Sequence, residues 1–231
     1  MHSSYDIYIN GAQLVLIDTR LPTGEKQDIL QSSLLAQLTS NKAPHATVGE
    51  WRHQYGIGLS RMHWLRTATA TESLPLPNKT FTLLELLGNT LAVPPFKKEV
   101  LTAFDQLTNS LNESARLALQ AAVGKTTDAA QRKGVWIELL VVRSATNLFA
   151  RNLTLENIEC PSGEDWLNHK LNSPGMAEHY LVQTNGFQLK ADYAKIRTKV
   201  QNVLEHRPEK MTVPVLAAPD EPDNLLVPDR D

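Results

Sequence analysis

The chain has 231 residues, 42% of them hydrophobic and 21% charged, which is enough for one large domain or two small ones around a real core. A net charge of −2 gives no electrostatic reason to expect nucleic acid, and no apolar run is long enough to span a bilayer. The single cysteine, Cys160, excludes an intramolecular disulfide and argues against a thiolate metal cluster. The first residues, Met-His-Ser-Ser-Tyr-Asp, lack the basic and apolar regions of a signal peptide, so a cytoplasmic location is expected, with signal-free export left open.

The opening pattern predicts a β-hairpin. Tyr5 to Ile9 and Ala12 to Ile17 flank Asn10-Gly11, a pair suited to the positive φ angles of a type I′ turn. Residues 25–39 turn helical, with Ile29, Leu30, Leu34 and Leu38 on one face. Thr47 and Glu50 have capping-box spacing ahead of a second helix that aligns Trp51, Tyr55, Leu59, Met62 and Leu65. Gly56 and Gly58 weaken that helix by roughly 1 kcal/mol each relative to Ala, which close packing against another backbone would explain. Residues 66–73, rich in Thr and Ala, predict a short strand.

Thr82 and Glu85 repeat the capping-box spacing before a leucine-rich helix, and Pro94-Pro95 punctuates the chain. A helix carrying Val100, Leu101, Phe104, Leu107 and Leu111 follows, then one over 113–123 with Gly124 as its expected C-cap. After a polar linker the period changes. Residues 135–142 form a nearly continuous apolar strand suited to burial on both faces, and 148–158 alternate as a second strand. Their short connection favours antiparallel pairing. A short helix over 164–171 and a strand over 179–184 come next, with Asn185-Gly186 as a tight turn before Phe187. Tyr193, Ile196, Val200, Val203 and Leu204 make the apolar stripe of a last helix. From Pro208 onward the chain reads as a proline-rich acidic tail, expected to be disordered unless Leu225-Leu-Val serves as a docking motif.

Three patterns bear on chemistry. Gly124-Lys125-Thr126 resembles the end of a phosphate-binding loop, but position 119 is Leu and the preceding segment is helical, so the phosphate cradle cannot be built. Cys160, Asp165 and His169 could in principle compose a nucleophile, base and orienting carboxylate. Nothing nearby supplies an oxyanion hole, and a lone cysteine reads first as a small buried hydrophobe. The seven histidines show no metal-ligand spacing, and no metal or cofactor is expected. Trp64 and Tyr55 are candidate interface anchors if exposed, and core residues otherwise.

The expected fold is α+β: a helical N-terminal region on a small, mainly antiparallel sheet with a C-terminal helix against it. One domain should run through residue 207, with a subdomain division near 125–134 as the alternative, and the opening hairpin should join the C-terminal sheet. The absence of a catalytic motif favours a non-enzymatic interaction, adaptor or structural protein with a protein partner or a second copy of itself. The alternatives are a membrane-active or toxin-like effector exported without a signal peptide, and an enzyme whose site is dispersed along the chain.

Overall fold

A computed structural model describes residues 4–42, 45, 47–77, 80–108, 113–126, 133–156, 167–171 and 178–215. Strands β1 (Tyr5–Asn10) and β2 (Gln13–Asp18) open the chain, followed by helices α1 (Thr23–Ser40) and α2 (Val48–Arg61). Then come β3 (Trp64–Pro75), β4 (Phe81–Thr82), α3 (Leu83–Leu91), α4 (Lys97–Thr108) and α5 (Glu113–Val123). The second half supplies β5 (Gly124–Thr126), β6 (Lys133–Ser144), β7 (Asn147–Leu155), β8 (Lys170–Leu171) and β9 (His179–Leu189). A 3₁₀ turn at Ala191–Lys195, α6 (Arg197–Leu204), α7 (Arg207–Met211) and β10 (Thr212–Pro214) complete it.

The fold is α+β, and its main sheet runs β10-β1-β2-β6-β7-β9-β3, with β5 on the start of β6. Every pairing is antiparallel except β2 with β6. The opening hairpin thus joins the C-terminal strands and ties both halves of the chain into one core. Because strand side chains alternate between faces, each face has its own cover. Asn10 reaches Ser33 of α1, and Glu138 reaches Tyr55 of α2, on one side. On the other, Arg151 reaches the Thr90 carbonyl of α3, and Tyr5 meets Phe96 edge-on. The sheet is a filling between two helical layers.

Several local expectations change. The hairpin register pairs Asn10 with Gln13, so its loop is Gly11-Ala12; only Gly11 has positive φ (61°), the signature of a type II′ turn. Asn185-Gly186 is no turn but lies inside continuous β9, where a Cβ on Gly186 would come within 2.7 Å of Thr67 Oγ1 beside the β3 bulge. Helix α2 stops at Arg61, His63 turns the chain at φ 62°, and Trp64 and Leu65 therefore begin β3. Gly124 opens a strand where a helix cap was expected. Residues 170–171 are strand, and the expected helix over 164–171 otherwise falls largely outside the described residues. The proline-rich tail was expected from Pro208, yet Arg207–Met211 is helical and β10 pairs with β1; residues 216–231 lie outside the described set.

Both capping expectations have structural counterparts. Thr82 and Glu85 bond reciprocally at the start of α3, and Thr47 accepts from the Glu50 amide at the start of α2. Gly58 lets α2 approach α1: a Cβ there would lie 3.1 Å from the Ala36 Cα. Gly58→Leu should therefore destabilise the fold by about 1–3 kcal/mol through overpacking. Gly24→Ala, with nothing within 4 Å of the added carbon, should be neutral or mildly stabilising. Urea denaturation of the two variants checks the contrast.

Candidate functional site

Six strand pairings line up one polar residue per strand across the sheet. Thr212 pairs with Asn10, Asn10 with Gln13, Gln13 with Glu138, Glu138 with Asn152, Asn152 with Gln183, and Gln183 with Thr71. Residues directly opposite share a face, and this row faces the α1–α2 layer.

The row is hydrogen-bonded along much of its length. Thr212 Oγ1 donates to Asn10 Oδ1 at 2.6 Å, Asn10 Nδ2 to Gln13 Oε1 at 3.2 Å, and Gln13 Nε2 to Glu138 Oε1 at 2.7 Å. Asn152 Nδ2 lies 3.3 Å from Glu138 Oε2. The helices bond down onto it. Gln37 Nε2 donates to Gln13 Oε1 and to the Asn10 carbonyl, both at 3.0 Å. Its Oε1 accepts from the Ala12 amide at 2.9 Å. Tyr55 donates to Glu138 Oε1 at 3.0 Å and accepts from Gln13 Nε2 at 2.9 Å. Gly11 is needed twice here, for its positive φ and because a Cβ would sit 2.5 Å from Gln37 Oε1.

Glu138 is 1% exposed. Burial raises its carboxyl above the ordinary 4.5, against the lowering effect of hydrogen bonds from Gln13, Tyr55 and Asn152. The same burial, with Glu138 beside it, pushes the Tyr55 phenol well above its ordinary 10.0. In its protonated form Glu138 needs an acceptor for its proton. Asn152 Oδ1, buried and without a partner among the described residues, supplies one once the amide is turned about. A buried carboxyl bonded at both oxygens fixes structure. It has neither the solvent access nor the partner base that proton-transfer chemistry requires.

Where the row leaves the core, an open cleft of about 500 Å³ lies between α2 and the β3–β9 edge, with Gln183 in its wall. Arg52, His53 and Arg66 also line it, above Ile57, Trp64, Leu65 and Phe187. The Arg66 guanidinium stacks over Phe187, 5.8 Å from the ring centroid.

Of the residues singled out by sequence, the described ones fall elsewhere or inside the core. Cys160 and Asp165 lie outside the described residues; His169 is exposed. Tyr55 is buried against Trp51 and Trp136 as well as Glu138, and buried Trp64 donates from Nε1 to Ser32 Oγ at 2.9 Å while meeting Phe187 edge-on. Among the described residues no group of three His, Cys, Asp or Glu side chains could hold a metal ion, and no helix is long and apolar enough to cross a membrane. Sequence reasoning missed Glu138 and its row. The available signal was a lone carboxylate inside the apolar run 135–142, facing lone polar positions in the opening hairpin and in the following strand.

No family model and no curated protein matches the chain. Three solved structures resemble it loosely. The activated Cyt2Ba monomer of Bacillus thuringiensis subsp. israelensis is 12% identical at a TM-score of 0.37, the match covering 78% of this chain and 98% of that one. A delta-endotoxin is 9% identical at 0.39, covering 78% and 81%. The Evf virulence factor is 14% identical at 0.32, covering 87% and 82%. Likenesses this loose carry no inference about what the present chain does.

The raised carboxyl has a signed consequence. Between the ordinary 4.5 and its native value, Glu138 keeps a proton in the folded state that the unfolded chain has released. Its contribution to stability is therefore largest below 4.5 and declines as pH rises through that interval. Glu138→Gln cannot ionise, so it should gain stability relative to wild type as pH rises, read from urea midpoints at each pH. Parallel profiles would contradict the burial effect. Glu138→Leu should be costly at every pH, at about 1–3 kcal/mol for each donor left without its acceptor.

Proposed function

We propose that the protein is a non-enzymatic interaction protein that receives a partner strand along the free edge of β3. The observation that carries this reading is the contrast between the two sheet edges. β10 offers three residues and ends at Pro214. β3 offers twelve, and Leu65 through Ser73 are all exposed, with no strand paired on the outer side among the described residues.

A strand edge presents unpaired N–H and C=O groups, and proteins that must not pair usually guard it with lysine, proline or bulges. On β3 the guards are sparse. Arg66 and Glu72 are its charged residues, Pro75 is its last residue, and the one bulge sits near its start, between Arg66 and Ala68. Between them Thr and Ala alternate, small side chains that leave room for a neighbour. Main-chain pairing of this kind supplies affinity without an apolar patch. The simplest partner is a second copy of the chain, pairing antiparallel.

Light scattering during size exclusion, over a range of concentrations, tests the reading. Wild type should dimerise, and Thr69→Lys/Thr71→Lys should remain monomeric with an unchanged circular dichroism spectrum. A wild type that is monomeric throughout, and that recovers no partner lost by the lysine variant, contradicts it.

A second reading, a membrane-active effector, has one observation in its favour. The α1–α2 layer meets the sheet partly through the polar row, so its separation would expose groups that water can satisfy. Under this reading the protein releases dye from liposomes, and a disulfide tethering α1 to the sheet stops it. Intact liposomes at saturating protein exclude it.

A further inference from the structure

We propose that the cleft between α2 and the β3–β9 edge binds a phosphate-bearing ligand with an apolar extension, its oxyanion held by Arg52 and Arg66. Both guanidiniums line the same cleft of about 500 Å³, and no carboxylate among the described residues lines it with them. Two like charges at one opening repel, and an oxyanion placed between them removes that repulsion while accepting from both planar forks.

Neither arginine is used up by the protein. Among the described residues the buried Arg52 Nη1 has no hydrogen-bond partner, an arrangement that usually marks a missing acceptor. Partial burial pulls its guanidinium below the ordinary range; Glu156 opposes this, and Arg66 adds to it. Arg66 is exposed, its contacts in the cleft being the face of Phe187 and the bare backbone of Gly56, where a Cβ would come within 3.0 Å of Nη2. The lining residues Ile57 and Leu65 give an apolar extension a surface to lie on, and Leu65 is 41% exposed as the cleft stands. Phosphate is favoured over carboxylate because its three oxygens can engage two forks at once.

A soluble phosphate ester and a lipid headgroup share this chemistry, and the same experiment separates the two. Isothermal titration of wild type with octyl phosphate should give one site per chain, tighter than inorganic phosphate. Arg66→Gln and Arg52→Gln should each weaken octyl phosphate by about tenfold or more, the loss of one charge-assisted contact. Arg61→Gln, an exposed arginine that does not line the cleft, should leave it unchanged. Co-sedimentation with phosphatidate-containing phosphatidylcholine vesicles that Arg66→Gln abolishes names a headgroup as the source. Titration without vesicle binding names a soluble ester. No heat with either phosphate at millimolar concentration overturns the proposal, as does octyl phosphate binding that survives both cleft substitutions or falls equally in Arg61→Gln. Because Arg66 is exposed, its variant should fold, which keeps the test decisive if Arg52→Gln does not.

Discussion

The buried Glu138 carboxyl is the constraint around which the sheet and one helical layer are arranged. It lies in a strand otherwise apolar enough to be covered on both sides, and it could be buried only where every bond it needs was already in place. Gln13 and Asn152 supply partners from the flanking strands and Tyr55 from the helix above. Their positions leave little freedom. A slip of one residue between β6 and either neighbour would turn Glu138 toward the α3 side of the sheet, away from Gln13, Asn152 and Tyr55. The row thus sets the register of the central strands. Through Gln37 and Tyr55 it also sets where α1 and α2 sit. Other ties support that layer: Asp28 holds Arg197 of α6 through both carboxylate oxygens, at 2.7 and 2.6 Å, and Gly58 admits Ala36.

How legible this was in the sequence depended on how local each cause is. Capping boxes, apolar stripes and the long strand over 135–142 are short-range signals, and they placed the starts of α2 and α3, and α5 and β6, closely. The two Asn-Gly pairs had the same local chemistry and different fates. One lies beside a hairpin turn shifted by a residue, because Gln13 must reach Glu138; the other lies within a strand, because β3 bulges against Gly186. Trp64 could not be assigned from periodicity, since α2 ends at Arg61, His63 turns the chain at positive φ, and the period changes without a glycine or proline to mark it. The polar row was invisible for a different reason: its members come from strands far apart in the chain, and each looks unremarkable beside its own neighbours.

The two surfaces offered for function are consequences of the same arrangement. Helix α2 is held over β6 and β7 by Tyr55, and β3 extends beyond it at the sheet edge. That offset leaves Leu65 through Ser73 uncovered and opens the cleft where the helix and edge diverge. The bulge at Arg66–Ala68 turns Arg66 toward the cleft and over Phe187, while the strand beyond it runs on as an open edge. The buried Glu138 row therefore serves the architecture, and the open β3 edge and the cleft are what that architecture exposes.

The most direct measurement is the infrared spectrum of the folded protein followed across pH, taken as the difference between wild type and Glu138→Gln. With its carboxyl raised by burial, Glu138 keeps the carbonyl stretch of a protonated carboxylic acid at pH values above the ordinary 4.5, and the variant lacks that band. A band that gives way to the ionised carboxylate at or below 4.5 would contradict the central place given to the buried Glu138, and with it the explanation of how the helical layer is held on the sheet.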